Sequence, residues 1–318
     1  MASKQNRKWI PGIDPEEPVT SAAGRTLEAR LAQVSHYAPL AATRSAESTE
    51  HVHQLRVATR RAAAALRVFA DSLPRRRRRW IQRRLKKMRR AAGDARDYDV
   101  QLKRINADKT RNVPTRRLLR KYLQSCRRRA QASVIDAQED FKRRRFEAKA
   151  AKLLKKVRWR GRDDEPSFAE AARDTLASLA DRFFLAAAGD LHQVSQLHWL
   201  RIQGKRLRYA MEIFAAAFPP SFRRDLYAEI EKLQERLGRL NDHATAAERY
   251  RTWLDSGDHE LNEELLEELI QAEERKLDRA VKRFHRWWSA DRRERLRQQF
   301  DDVLQAPGCG RASQPPEL

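Results

Sequence analysis

His53, Arg56, Arg60 and Arg67 lie within about 60° of one another on a helical wheel, with Arg61 at the border of the stripe. A row of such side chains suits phosphate. Arginine's planar fork of donors matches two phosphate oxygens, and lysine supplies a movable point charge. Histidine donates one or two hydrogen bonds and turns cationic when anions crowd it. Leu55, Ala58, Ala62, Ala65, Leu66 and Phe69 fill the opposite arc. The pattern returns 145 residues later, where HQLRVATRRAAAALRVF from His53 is answered by HWLRIQGKRLRYAMEIF from His198. The second stripe is His198, Arg201, Lys205 and Arg208, with Arg206 matching Arg61, against Leu200, Leu207, Ala210, Met211 and Phe214. A merely solvated basic face does not require a histidine at the head of both copies, so the repeat points to a shared anionic ligand.

The offset continues without a gap through Pro74 and Pro219, Arg79 and Arg224, Lys87 and Lys232, Gly93 and Gly238, and Asp97 and Asp242. From 53 to 99, 13 of 47 positions are identical, where composition alone gives about three to five. Residues 75–90, RRRRRWIQRRLKKMRR, hold eleven basic residues and no acidic one. Arg76, Arg79, Arg83, Lys87 and Arg90 form one line at helical spacing, of which the second copy keeps Arg224 and Lys232. Such like charges repel by several tenths of a kcal/mol per i,i+4 pair unless an anion relieves them. Glu229, Glu231 and Glu235 stand where the first copy has Arg84, Lys86 and Arg90, so the first copy is expected to bind more strongly. Gly93 and Gly238 sit inside helical patterns at a cost of about 1 kcal/mol each, which suggests close helix contact or a bend. Asp97 and Asp242 are read as partners that orient the basic stripe.

These stripes need helices to carry them, and the composition supplies helices. The 318 residues contain 68 Lys plus Arg, 44 Asp plus Glu and only 10 Gly and 12 Pro, for a formal charge of +24. Self-repulsion at that charge favours a polyanionic partner. Cys126 and Cys309 lack metal or redox spacing, and no apolar run suits a signal peptide or a membrane span. The expected setting is the cytoplasm, with no membrane association.

Periodicity predicts a flexible leader over 1–19 and a helix carrying Leu27, Leu31, Val34 and Ala38 that Pro39 ends. A helix capped by Ser48 then runs to about Ala70, followed by one from Arg75 to Ile105 and a long one from Pro114 into the 150s. RGRDDEPS, at 160–167, reads as the internal boundary. Helices from about Phe168, His198, Ser221 and His259 follow, the last of them acidic over 260–278, and 305–318 reads as a disordered tail. The expected architecture is all-α. Two four-helix bundles, 20–160 and 168–304, form one domain over 20–304 by internal duplication.

The H-x-x-R-V-x-x-R-R run at His53, GDARDYDV from Gly93, H-x-x-R-I-x-x-K-R-L-R-Y at His198 and LGRLND at 237–242 resemble the CHAD family, the conserved histidine α-helical domain. The resemblance spans about 20–290. It implies two four-helix bundles with pseudo-twofold symmetry around a basic central groove or pore, binding inorganic polyphosphate at polyphosphate granules. His53, Arg56, Arg60, Arg61, Arg67, His198, Arg201, Lys205, Arg206 and Arg208 match the family's histidine and basic positions. Ala63 departs from the pattern where the second copy has Arg208, and Glu212 stands opposite Arg67, so a lopsided groove is expected.

Catalysis is not expected, nor is a metal or cofactor. The chain lacks the ExExK signature of the triphosphate-tunnel hydrolase fused to some relatives, and it lacks a GxxxxGK[ST] loop. His51 and His53, two apart on a helix, diverge too far to share a metal. Nucleic-acid binding through charge is the rival reading, weakened by the few aromatics among the basic residues. A granule scaffold recruiting proteins through EELLEELIQAEE, at 263–274, is compatible with the first reading.

Overall fold

The computed structural model describes residues 8–107, 113–257 and 261–305, and among them the regular structure is helical. Helix α1, Val19–Thr43, buries Leu27, Leu31, Val34 and Ala38 as expected. Pro39 lies inside it and does not end it. The apolar face continues through buried Ala41 and Ala42, and Gln131 Nε2 donates to both of their carbonyls at 2.9 Å. Packing and a side-chain cap thus carry the helix one turn past a residue that lacks an N–H.

Helix α2, Glu50–Val68, starts where Ser48 Oγ accepts the Glu50 N–H at 3.2 Å. It closes in a 3₁₀ turn, Ala70–Ser72, ahead of Pro74. Helices α3, Arg75–Ala107, and α4, Val113–Arg143, follow. The expected run into the 150s is broken, because Arg145 adopts φ 51° and a separate α5, Phe146–Leu154, begins. The break turns Phe146 inward against Phe141, with ring centroids 4.3 Å apart, and onto Trp80 at 6.4 Å.

A capping box of Ser167 and Glu170 opens α6, Phe168–Ala187. Helix α7, Val194–Phe214, passes through a 3₁₀ turn, Ala215–Ala217, and a π turn, Phe222–Leu226, into α8, Tyr227–Ser256. The order helix, 3₁₀ turn, proline, long helix therefore occurs twice at the offset of the sequence repeat. The acidic segment forms the start of α9, Glu263–Trp287, and α10, Ala290–Gln305, comes after it. His259, the tail from 306 and residues 1–7 of the leader lie outside the described residues. Residues 8–18 are not a loose leader. Ile10 and Ile13 are buried, Trp9 meets Tyr227 edge-on at 4.8 Å, and Phe168 N–H donates to Glu17 O at 2.8 Å.

The chain forms two compact units that part between Arg162 and Asp163, and neither is contiguous. The first joins Ala23–Arg162 to Ala246–Glu273. Within it α2 lays Leu55, Ala58, Ala62 and Leu66 on its buried side, and α3 buries Ile81, Leu85, Met88, Ala92 and Ala95. The far ends of α3 and α4 are closed by later chain. Ile105, Leu119, Tyr122 and Leu123 share a core with Ala246, Tyr250, Leu266 and Leu269, and Trp253 stacks on Tyr98. Full burial of each large apolar side chain there stabilises by about 1.5–3 kcal/mol. The second unit takes Asp163–Thr245, the chain up to Ala22 and the chain from Glu274 onward. Its core is aromatic, with Phe168 on Phe214, Phe184 on Phe300 and Phe284 on Trp288. A sequential division at 20–160 and 168–304 thus misses the exchange of 246–273, which the apolar ends of α3 and α4 require.

Candidate anion-binding site

The stripe on α2 lies opposite its buried arc. His53, Arg56, Arg60 and Arg61 are half-buried and Arg67 is exposed. Arg56 crosses to α3, where its Nη1 donates to the Arg89 carbonyl oxygen at 3.2 Å. Gly93 makes this possible, since a Cβ there would stand 3.3 Å from Arg56 Nη1. Close helix contact is therefore the reason for this glycine. No such neighbour approaches Gly238, which has open space within 4 Å.

Arg56 is crowded by cations. Burial first, then repulsion from Arg60, Arg89 and Arg96, lowers its pKa to about 10, while Asp97 pulls the other way. It stays cationic at neutral pH, in an environment that disfavours the charge. His53 shares the field. Burial and then Arg96 push its pKa below the usual imidazole value, with Arg60 and Arg56 adding and Glu50 opposing. Asp97 is held by Arg249, whose Nη2 donates to it at 3.3 Å, so its orienting role is shared with a residue of α8. The resulting constellation of His53, Arg56, Arg60, Arg89 and Arg96 is a half-buried group with excess positive charge, which an anion would relieve.

Sequence pattern does not single out Arg89 and Arg96, and the α3 line it names lies on a different face of the helix. Arg76, Arg79, Arg83, Lys87 and Arg90 are exposed as expected, but they lie roughly 110° around α3 from Arg89, Gly93 and Arg96. Lys87 Nζ pairs with Asp140 of α4 at 3.1 Å, beside Arg84 at 3.0 Å, Arg143 at 3.0 Å and Arg144 at 2.8 Å. Burial works against ionisation of Asp140. Hydrogen bonds from Arg144, Lys87 and Arg143 outweigh it and hold the carboxyl well below the usual range. A signal for Arg96 was present, because it lies three residues after Gly93 and one turn along the face that Gly93 leaves bare.

In the second unit several of the basic residues pair with carboxylates. His198 and Arg206 are exposed, and Arg201 and Lys205 are half-buried. Arg208 turns inward, where its Nη1 donates to Glu212 Oε1 and to Tyr227 Oη, each at 3.1 Å. Burial would lower the pKa of Arg208, but Glu212 and Tyr227 raise it, so this cation is structural. Glu212 is 1% exposed and also accepts from Tyr227 Oη at 2.9 Å. Lys8 extends the network, donating to Glu231 at 2.8 Å with its ammonium over the Tyr227 ring. Arg224 pairs with Asp225 at 2.9 Å and Lys232 with Glu229 at 2.8 Å. Of the second-unit positions chosen from sequence, these three cations are already matched by carboxylates.

Among the described residues no helix is long and apolar enough to cross a membrane. Comparison with curated proteins yields no match. Solved structures share the fold. The crystal structure of the CHAD domain from the plant Ricinus communis matches with a TM-score of 0.72 at 19% identity, over 94% of this chain and 96% of that one. PptA from Streptomyces chartreusis matches with a TM-score of 0.63, also at 19% identity, over 86% of this chain and 99% of that one. The family profile described as the CHAD domain covers residues 25–251, most of the chain. An all-α protein with a histidine and arginine stripe on α2 and its repeat on α7, this chain belongs to the CHAD-domain family.

Proposed function

We propose that this chain binds inorganic polyphosphate without chemically altering it, chiefly through His53, Arg56, Arg60, Arg89 and Arg96. The observation that carries this reading is the half-buried Arg56, whose guanidinium reaches the Arg89 carbonyl and is held among Arg60, Arg89 and Arg96 with a lowered pKa, Asp97 opposing them. A linear polyanion with one charge per phosphate supplies what that group lacks, and arginine forks bind successive phosphates without reading a base. The chain's +24 charge would draw such a ligand in at long range. Arg201 and Lys205 of α7 would add a weaker second contact. Residence at polyphosphate granules follows from the same reading.

Nucleic acid is the competing ligand. Trp199, 47% exposed beside His198, offers a ring on which a base could stack. Displacement of labelled long-chain polyphosphate by unlabelled polyphosphate, single-stranded RNA and duplex DNA, at matched phosphate and near-physiological salt, decides between them. Polyphosphate should compete at least tenfold better. Equal competition would make the chain a general polyanion binder.

A further inference from the structure

The second copy of the basic stripe stands over a different surface from the first. At the repeat offset Arg89 and Arg96, two of the cations that crowd Arg56, become the neutral amides Gln234 and Asn241. Ala92, Ala95 and Asp99 become Leu237, Leu240 and Ala244. The stripe itself survives as His198, Arg201 and Lys205. The α7 copy has therefore kept cations for an anion while exchanging the surrounding charge for amides and aliphatic side chains.

Those exchanges line a cavity of about 50 Å³. Val194 and Leu197 of α7, Leu237, Leu240 and Ala244 of α8 and Leu277 of α9 form its apolar wall. His198, Arg201 and Asn241 complete the lining, which contains no carboxylate. An apolar cavity of roughly 150 Å³ takes benzene, so this one accepts the branched tip of an aliphatic chain and not a ring. Val194 is 51% exposed and carries the apolar surface out of the cavity. From His198 to Lys205 the cations run about 10 Å along α7. A matching partner presents several negative charges over that length, with one short branched apolar group among them. Polyphosphate has no such group, and nucleic-acid bases are rings.

We propose that the α7 copy is a docking site for an acidic peptide segment that bears a leucine. The leucine tip would enter between Leu197, Leu237, Leu240 and Leu277, and flanking aspartate and glutamate side chains would pair with His198, Arg201 and Lys205. Burial of the tip supplies apolar contact, and the carboxylates supply charge complementarity along the helix. From the polyphosphate reading this takes only the assignment of the α7 stripe to anions, and the α2 site plays no part in it.

Fluorescence anisotropy on the full chain tests this with labelled octapeptides of aspartate and glutamate that differ only at one central residue. The leucine peptide should bind at least tenfold more tightly than the serine peptide, and more tightly than the phenylalanine one. Ala244→Leu fills the cavity from its wall and keeps every cation, so it should bring the leucine peptide down to the level of the serine peptide without lowering the melting temperature. The peptide series gives its answer on the unaltered chain, whatever that variant does to the fold. Arg201→Gln should weaken all three peptides at least fivefold. Arg56→Gln should weaken polyphosphate and leave the leucine peptide unchanged, so either reading can fail while the other stands. Equal binding of the leucine and serine peptides, tighter binding of the phenylalanine peptide, or a leucine preference that survives Ala244→Leu would overturn the proposal.

Discussion

Arg56 reaches the main-chain carbonyl of Arg89, 3.2 Å away, across the bare surface of Gly93. The contact pins a guanidinium between α2 and α3 without neutralising it, because its acceptor is a neutral carbonyl. Gly93→Ala should gain helix propensity of about 1 kcal/mol and lose part of it to crowding of the guanidinium. Polyphosphate affinity should fall severalfold. Gly238→Ala, which meets open space, should stabilise by about 1 kcal/mol and leave affinity alone. Denaturant titrations paired with binding curves for the two variants check this contrast.

His53 makes binding depend on pH. Its folded pKa lies below the unfolded value, so the contribution to stability is present above about pH 6.5 and is lost as pH falls through the folded value. A bound polyanion reverses the field and raises the pKa. Binding should therefore take up protons and strengthen as pH falls from about 8 to about 6. Calorimetry in buffers of different ionisation enthalpy should show that uptake, and His53→Gln should reduce it.

Asp140 gathers Arg84, Lys87, Arg143 and Arg144 around one buried carboxylate. Because several of these cations are well exposed, Asp140→Asn should cost about 2–3 kcal/mol, at the low end for a broken buried pair. The depressed folded pKa places this contribution above about pH 4, and it disappears as pH falls further. Urea titrations at pH 7 and pH 3 should show the gap between the wild type and Asp140→Asn beginning to narrow at the lower pH.

Arg208 and Arg201 separate structure from binding on one helix. Arg208→Met leaves Glu212 buried without its cation and should cost about 3 kcal/mol, with polyphosphate affinity unchanged. Adding Glu212→Gln should recover much of the loss. Charge reversal at Arg56 and Arg201 together should abolish polyphosphate binding with helicity intact by circular dichroism. Retained affinity in that double variant would remove both stripes from the site.

Helix faces were legible in the sequence because apolar spacing determines them. The buried arcs of α2 and α7 are those the wheel predicts, and α3 begins and ends within two residues of its expected limits. What escaped depends on partners distant in the chain. Pro39 is tolerated because Gln131 caps the carbonyls beyond it, which local propensity does not report. Phe146 breaks α4 because Phe141 and Trp80 await it. Arg208 reads as a stripe cation until Tyr227 and Glu212 are seen to enclose it. Arg89 and Arg96 were hidden among so many arginines that charge alone could not rank them.

The exchanged segments bear on how the protein is made. The first unit lacks part of its core until residue 273 has left the ribosome, and the second, whose segment up to Ala22 is made first, waits for the residues from Glu274 onward. A nascent chain stopped at 162 would hold α3 and α4 with their far ends uncovered, an aggregation-prone state. Cutting the gene at the apparent boundary would therefore give two insoluble halves rather than two half-proteins, and co-expressing them would have to restore both exchanges at once.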